Sequence, residues 1–157
     1  MAESSGSETT VDVYFRTSVT GVIEARQEGV LDRAEQLVRK GVIDDLRINY
    51  WSSQVTAPNN GTRNDSGCPD VVRELYDVTE GTDCSLSPCF REAKGDRNNR
   101  TVLFLPVVCL VVRRGGDIVG VYPSDYEGEH YSVENGLDIM ERGEEPVTVP
   151  ANAEANP

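Results

Sequence analysis

The stretch Thr101–Val112 constrains this chain more than any other part of it. Successive side chains of a strand point to opposite faces, and here both alternating sets are apolar (Val102, Phe104, Val108, Leu110 and Val112 against Leu103, Leu105, Val107, Cys109 and Val111). A strand apolar on both faces has to be covered on both faces, which puts it inside a sheet with helices above and below. It contains Pro106 and is shorter than the ~20 residues that a membrane-spanning helix requires.

The remaining elements follow from local periodicity. Val11–Thr17 alternates and predicts a first strand. Ile23, Val30, Leu31, Ala34, Leu37 and Val38 recur at helical spacing, and Gly41 follows Arg39 and Lys40 as a C-cap after a cationic last turn. Leu46–Trp51 alternates again, and Ser52–Gly67 reads as loop. Pro69 suits the first position of a second helix carrying Val71, Val72, Leu75 and Tyr76. Leu86–Arg91 reads as a short strand, and Gly115-Gly116 as a tight hairpin into Ile118–Tyr122. Ser132 is placed to cap a last helix bearing Val133, Leu137 and Met140. The first two strands, joined by a helix, should be parallel. The expected organisation is a polar tail at 1–10, one α/β domain at 11–142, and an acidic, proline-containing tail at 143–157.

This order of elements, with Pro106 at the start of the central antiparallel strand, resembles the thioredoxin-like domains. The resemblance implies a three-layer sandwich, with a mixed sheet of about four or five strands and helices on both faces. It also allows a cis bond between Leu105 and Pro106. Where thioredoxins carry Cys-x-x-Cys, this chain has Thr17-Ser18-Val19-Thr20-Gly21-Val22, so redox activity does not carry over. A second set of residues, Arg16-Thr17-Ser18, Arg26-Gln27 and Val102–Val107 with its Leu-Pro pair, resembles a family of small haloarchaeal proteins of unassigned function. Some of these are labelled helix-turn-helix proteins. Here the first predicted helix runs into a strand rather than into a second helix.

Charge sets the expected habitat. The chain carries 27 acidic against 15 basic residues, a net charge of −12, and Lys40 and Lys94 are its only lysines. Arginine is more weakly hydrated than lysine and still pairs carboxylates. So acidic a surface repels itself in dilute buffer, whereas molar salt screens charges beyond ~3 Å. The pattern predicts a cytoplasmic protein of a halophile, and no export signal is visible at Met1–Glu8. The same charge disfavours a nucleic-acid partner and points to a protein partner or self-association. No membrane association is expected.

Few residues suggest chemistry. Cys68, Cys84, Cys89, Cys109 and His130 do not follow a zinc spacing, so no metal or other cofactor is expected. His130 is the only histidine, in a loop-like stretch, and the chain reads as a non-enzyme with no catalytic residues assigned. Tyr14, Arg16, Arg47 and Trp51 could share one sheet face, an arrangement that can stack bases, but in the sandwich that face lies under a helix. The candidate binding site is the loop opening the first helix. There Ser18 and Thr20 offer hydroxyls, Gly21 offers freedom, and Arg26 offers charge near free N–H groups. The expected function is a non-enzymatic adaptor or regulatory module. The alternatives are a DNA-associated regulator and a thiol-dependent enzyme using Cys84 or Cys89.

Overall fold

A computed structural model of the chain describes residues 8–56, 69–86, 89–94 and 101–149. Strand β1 (Thr9–Arg16) begins two residues inside the predicted N-terminal tail. It buries Val11, Val13 and Phe15 on one face and directs Asp12, Tyr14 and Arg16 to the other. Helix α1 (Val22–Arg39) follows, burying Gln27, Val30, Ala34 and Leu37. It ends as Gly41 predicts. With φ at +82°, Gly41 adopts a left-handed conformation that costs glycine little. Its N–H donates to Val38 O at 3.0 Å and that of Val42 to Leu37 O at 2.9 Å, the paired bonds of a Schellman cap. β2 (Asp45–Trp51) returns parallel to β1.

The next segment departs from prediction. β3 (Gln54–Thr56) lies where only loop was expected. α2 (Asp70–Thr79) starts immediately after Pro69. In place of one strand at 86–91 there are two short ones, β4 (Cys84–Ser85) and β5 (Arg91–Lys94). The long apolar stretch is broken into β6 (Thr101–Phe104) and β7 (Val108–Arg114). Pro106 has no N–H to give to a ladder, and the chain changes sheets around it. The cis peptide bond in the described chain joins Tyr122 to Pro123 instead of Leu105 to Pro106. Gly115 and Gly116 turn β7 into β8 (Asp117–Tyr122), as expected. A second hairpin, β9 (Ser124–Tyr126) to β10 (Glu129–Tyr131), replaces the predicted loop around His130. α3 (Val133–Glu141) carries a full capping box. Asn135 N–H donates to Ser132 Oγ at 3.1 Å, and Ser132 N–H to Asn135 Oδ1 at 2.9 Å.

The result is a mixed α/β fold. Its main sheet has four strands in the order β2-β1-β7-β8, with β7 antiparallel to both neighbours, and two three-stranded sheets, β10-β9-β4 and β3-β6-β5, accompany it. β7 is therefore interior, as a strand apolar on both faces requires. One core joins Val11, Val13 and Phe15 to α1 through Val30, Ala34 and Leu37, and to α3 through Val133, Leu137 and Met140. The other joins Trp51, Cys109 and Val111 to Val72 and Leu75 of α2, and to Phe90, Leu103 and Leu105.

The chain beyond Gly143, expected to be tail, lies against β8 as far as Val149. Thr148 and Val149 N–H both reach Val119 O at 3.0 Å, and Val121 N–H donates to Thr148 Oγ1 at 2.9 Å. A side chain at Gly120 would collide with Pro146 O, so this approach needs glycine there.

Candidate functional site

The parallel strands β1 and β2 end together, and α1 begins at the same pole. Open α/β sheets bind ligands outside the carboxyl ends of such strands. The break between β6 and β7 arrives here with three successive carbonyls, and each takes a side-chain donor. Arg16 Nη2 donates to Leu105 O at 2.5 Å and Trp51 Nε1 to Pro106 O at 3.1 Å. Gln27 Nε2 donates to Val107 O at 3.0 Å and to Arg16 O at 3.1 Å. Arg16 N–H also reaches Val107 O at 2.9 Å. Thus Arg16, Gln27 and the Leu105-Pro106 pair, which lie in three separate segments of the sequence, meet at one joint. Arg16 Nε is buried there without a hydrogen-bond partner among the described residues.

The loop of the predicted binding site borders this joint. Ser18 has φ of +61°, a conformation uncommon outside glycine, and Gly21 has φ of +66° as N-cap of α1. Neither Ser18 nor Thr20 caps the helix, whose N-cap receives no side-chain bond. Arg26 is turned elsewhere. Its Nε and Nη2 each lie 2.9 Å from the Glu134 carboxylate of α3, which holds the guanidinium more firmly protonated than usual and draws the Glu134 carboxyl below its ordinary range. The structure therefore keeps Ser18, Thr20 and Gly21 together and commits Arg26 to tying α1 to α3. Around this pole Val22, Ile23 and Tyr50 are solvent-exposed.

Tyr14, Arg16, Arg47 and Trp51 do share a face, since Arg16 pairs in register with Trp51 and Asp12 with Arg47. They do not form a base-stacking platform. The rings of Tyr14 and Trp51 stack on each other, with centroids 4.8 Å apart, and Phe90 meets Trp51 edge-on at 6.0 Å. Burial of Tyr14 pushes its phenol up to about 12. Arg47 is engaged by Asp12 at 2.7 Å.

Sequence reasoning missed the charged network centred on that carboxylate. Buried Asp12 also accepts from Arg113 Nε at 3.0 Å, and Arg113 holds Glu74 of α2 through two bonds of 2.9 Å. The only local signal was an Asp on the polar side of an otherwise apolar strand.

Acid–base or thiol chemistry finds little support. His130 Nδ1 lies 2.9 Å from Asp125 Oδ1 across the β9–β10 hairpin, beside an open cleft of about 330 Å³ whose lining offers no serine, cysteine or lysine. The thiols of Cys84, Cys89 and Cys109 are free and all raised by burial, the opposite of what a nucleophilic thiolate needs. Cys68 lies outside the described residues. Among the described residues, no group of three or more His, Cys, Asp or Glu is placed to hold a metal ion, and no helix is long and apolar enough to cross a membrane.

A family model described as a helix-turn-helix domain matches residues 3–145. No curated protein and no solved structure matches the chain. Among the described residues no two helices follow one another across a short turn: α1 leads into β2, α2 into β4, and α3 is preceded by β10.

Proposed function

The chain belongs to this helix-turn-helix domain family, and on that premise we propose that it is a DNA-associated transcriptional regulator. The observation that carries the reading is the match itself, which runs through nearly the whole chain. With no helix pair among the described residues, the proposed DNA contact is the ribbon formed by β5 and β6, a shape that some regulators use in place of a helix. Along residues 91–100 Arg91, Lys94, Arg97 and Arg100 outnumber Glu92 and Asp96, in a chain whose net charge is −12. Arg91 is exposed, with its guanidinium 4.4 Å above the Phe104 ring. By contrast Arg26, Arg33, Arg47, Arg113, Arg114 and Arg142 all lie against carboxylates.

Fluorescence anisotropy of labelled duplex DNA over a salt series tests this. Binding that weakens linearly in log salt supports it, and Arg91→Ala with Lys94→Ala should flatten the slope by about 2, near 0.9 per lost phosphate contact. Absence of binding at every salt concentration refutes it.

A second reading is a non-enzymatic adaptor on a redox-inactive thioredoxin-like scaffold, working in the cytoplasm of a halophile of haloarchaeal origin. In its favour stand the sheet order β2-β1-β7-β8 with β7 reversed, α1 and α3 in one core with α2 in the other, and a loop before α1 without cysteine. The acidic, lysine-poor composition favours the habitat. In this reading Ser18, Thr20 and Gly21 form the contact loop, with Arg26 holding the helix that carries them. Partner capture from lysate at high salt, lost in Thr20→Val with Arg26→Ala while DNA binding is absent, would favour it. Equal capture by variant and parent removes the loop.

A further inference from the structure

The outer edge of the main sheet is exposed and apolar. β2 is an edge strand, and no described strand pairs with its far side. Edge strands are normally protected by lysine, proline or a bulge. Asp45–Trp51 (Asp-Leu-Arg-Ile-Asn-Tyr-Trp) contains no lysine or proline, and its register against β1 is unbroken. Backbone direction along it is set by two bonds. Thr17 N–H donates to Trp51 O, so Trp51 faces β1, while Arg16 N–H turns the other way, to Val107 O. By alternation Arg47, Asn49 and Trp51 face β1, and Leu46, Ile48 and Tyr50 present their N–H and C=O groups outward.

The exposed apolar side chains belong to the same residues: Tyr50 is 67% exposed and Ile48 37%. Outward backbone groups and exposed apolar side chains thus coincide along this edge, and a backbone ladder formed there would cover both.

We infer that β2 is a dimerisation edge, at which two copies of this chain join antiparallel with Ile48 opposite Ile48. In that register Leu46 faces Tyr50 of the second copy, and each outward backbone pair exchanges both of its hydrogen bonds, as an antiparallel ladder requires. On the other sheet face Arg47 meets Asn49 and Asp45 meets Trp51. No two like charges are opposed, which favours this edge over the carboxylate-rich remainder of a chain of net charge −12. The strand is complementary to itself, which is what a two-fold contact demands.

Sedimentation equilibrium of the full chain in molar KCl should give twice the chain mass. Ile48→Lys sets two cations across the axis and should raise the dimer Kd at least about tenfold, without loss of far-UV circular dichroism. Tyr50→Asp should act the same way, so that misfolding of one variant leaves the other informative. In a Cys68→Ser background, Ile48→Cys should form a covalent dimer on mild oxidation, because paired strands hold Cα atoms about 5.5 Å apart, within disulfide reach. Gly29→Cys, on open surface of α1, should not. A monomer at about 100 μM in molar salt would overturn the inference, and so would a dimer that Ile48→Lys leaves intact or Ile48→Cys fails to cross-link.

Discussion

Replacing Asp12 by asparagine tests the central charged network. Asp12 is buried in β1 between two guanidiniums of unequal standing: the Arg113 side chain is 15% exposed, that of Arg47 55%. Removing one partner of a buried pair costs ~3–5 kcal/mol, mostly because the other charge stays buried and uncompensated. Arg113 keeps Glu74, and Arg47 can return to water, so the lower end applies, about 3 kcal/mol. In a domain of this size each kcal/mol moves the melting temperature ~2–4 °C, so Asp12→Asn should lower Tm by about 6–12 °C. Circular-dichroism melts in molar KCl would measure it. A double-mutant cycle then apportions the loss. The coupling of Asp12 to Arg113 should exceed its coupling to Arg47, because the more exposed pair falls in the range of ~0–1 kcal/mol typical of surface bridges. A Tm drop below about 2 °C, or equal couplings, would refute the reasoning.

Three further outcomes follow from the same contacts. Gly136→Ala would put a methyl 2.6 Å from the Tyr122 ring and should destabilise by about 1–3 kcal/mol, whereas Gly29→Ala, with nothing within 4 Å, should stabilise by about 0.5–1 kcal/mol. Urea midpoints of the two variants decide it. Glu74 and Glu134 are both held below the ordinary carboxylate range, by Arg113 and Arg26 respectively. The stability they add should be complete above the unfolded pKa of ~4.3 and fade as pH falls through their lower folded values. Urea midpoints at pH 6 and pH 3 should differ accordingly, and the difference should shrink in Glu74→Gln. Finally, unscreened self-repulsion at net charge −12 predicts a Tm that climbs steeply from low to molar KCl, and a flat curve would contradict it.

Local patterning made much of this molecule legible. The alternation of Val11–Arg16, the helical spacing through Val38, the Gly41 cap, the Gly115-Gly116 hairpin and the Ser132 cap are all encoded by residues a few positions apart, and they form as written. The two apolar faces of Thr101–Val112 required an interior strand, and its C-terminal part, β7, is one. Where that strand begins was decided elsewhere. Pro106 marks a break but does not say what will satisfy the carbonyls it exposes. Arg16, Trp51 and Gln27 do so from 55 to 89 residues away in sequence. The same holds for Arg26, whose charge suggested an anion site until Glu134, 108 residues on, claimed it. Asp12 is likewise an odd residue in a strand until Arg47 and Arg113 flank it. Periodicity and turn chemistry are short-range, so a sequence displays them. Which donor meets which acceptor across distant segments depends on how the layers pack, and only the tertiary structure settles that.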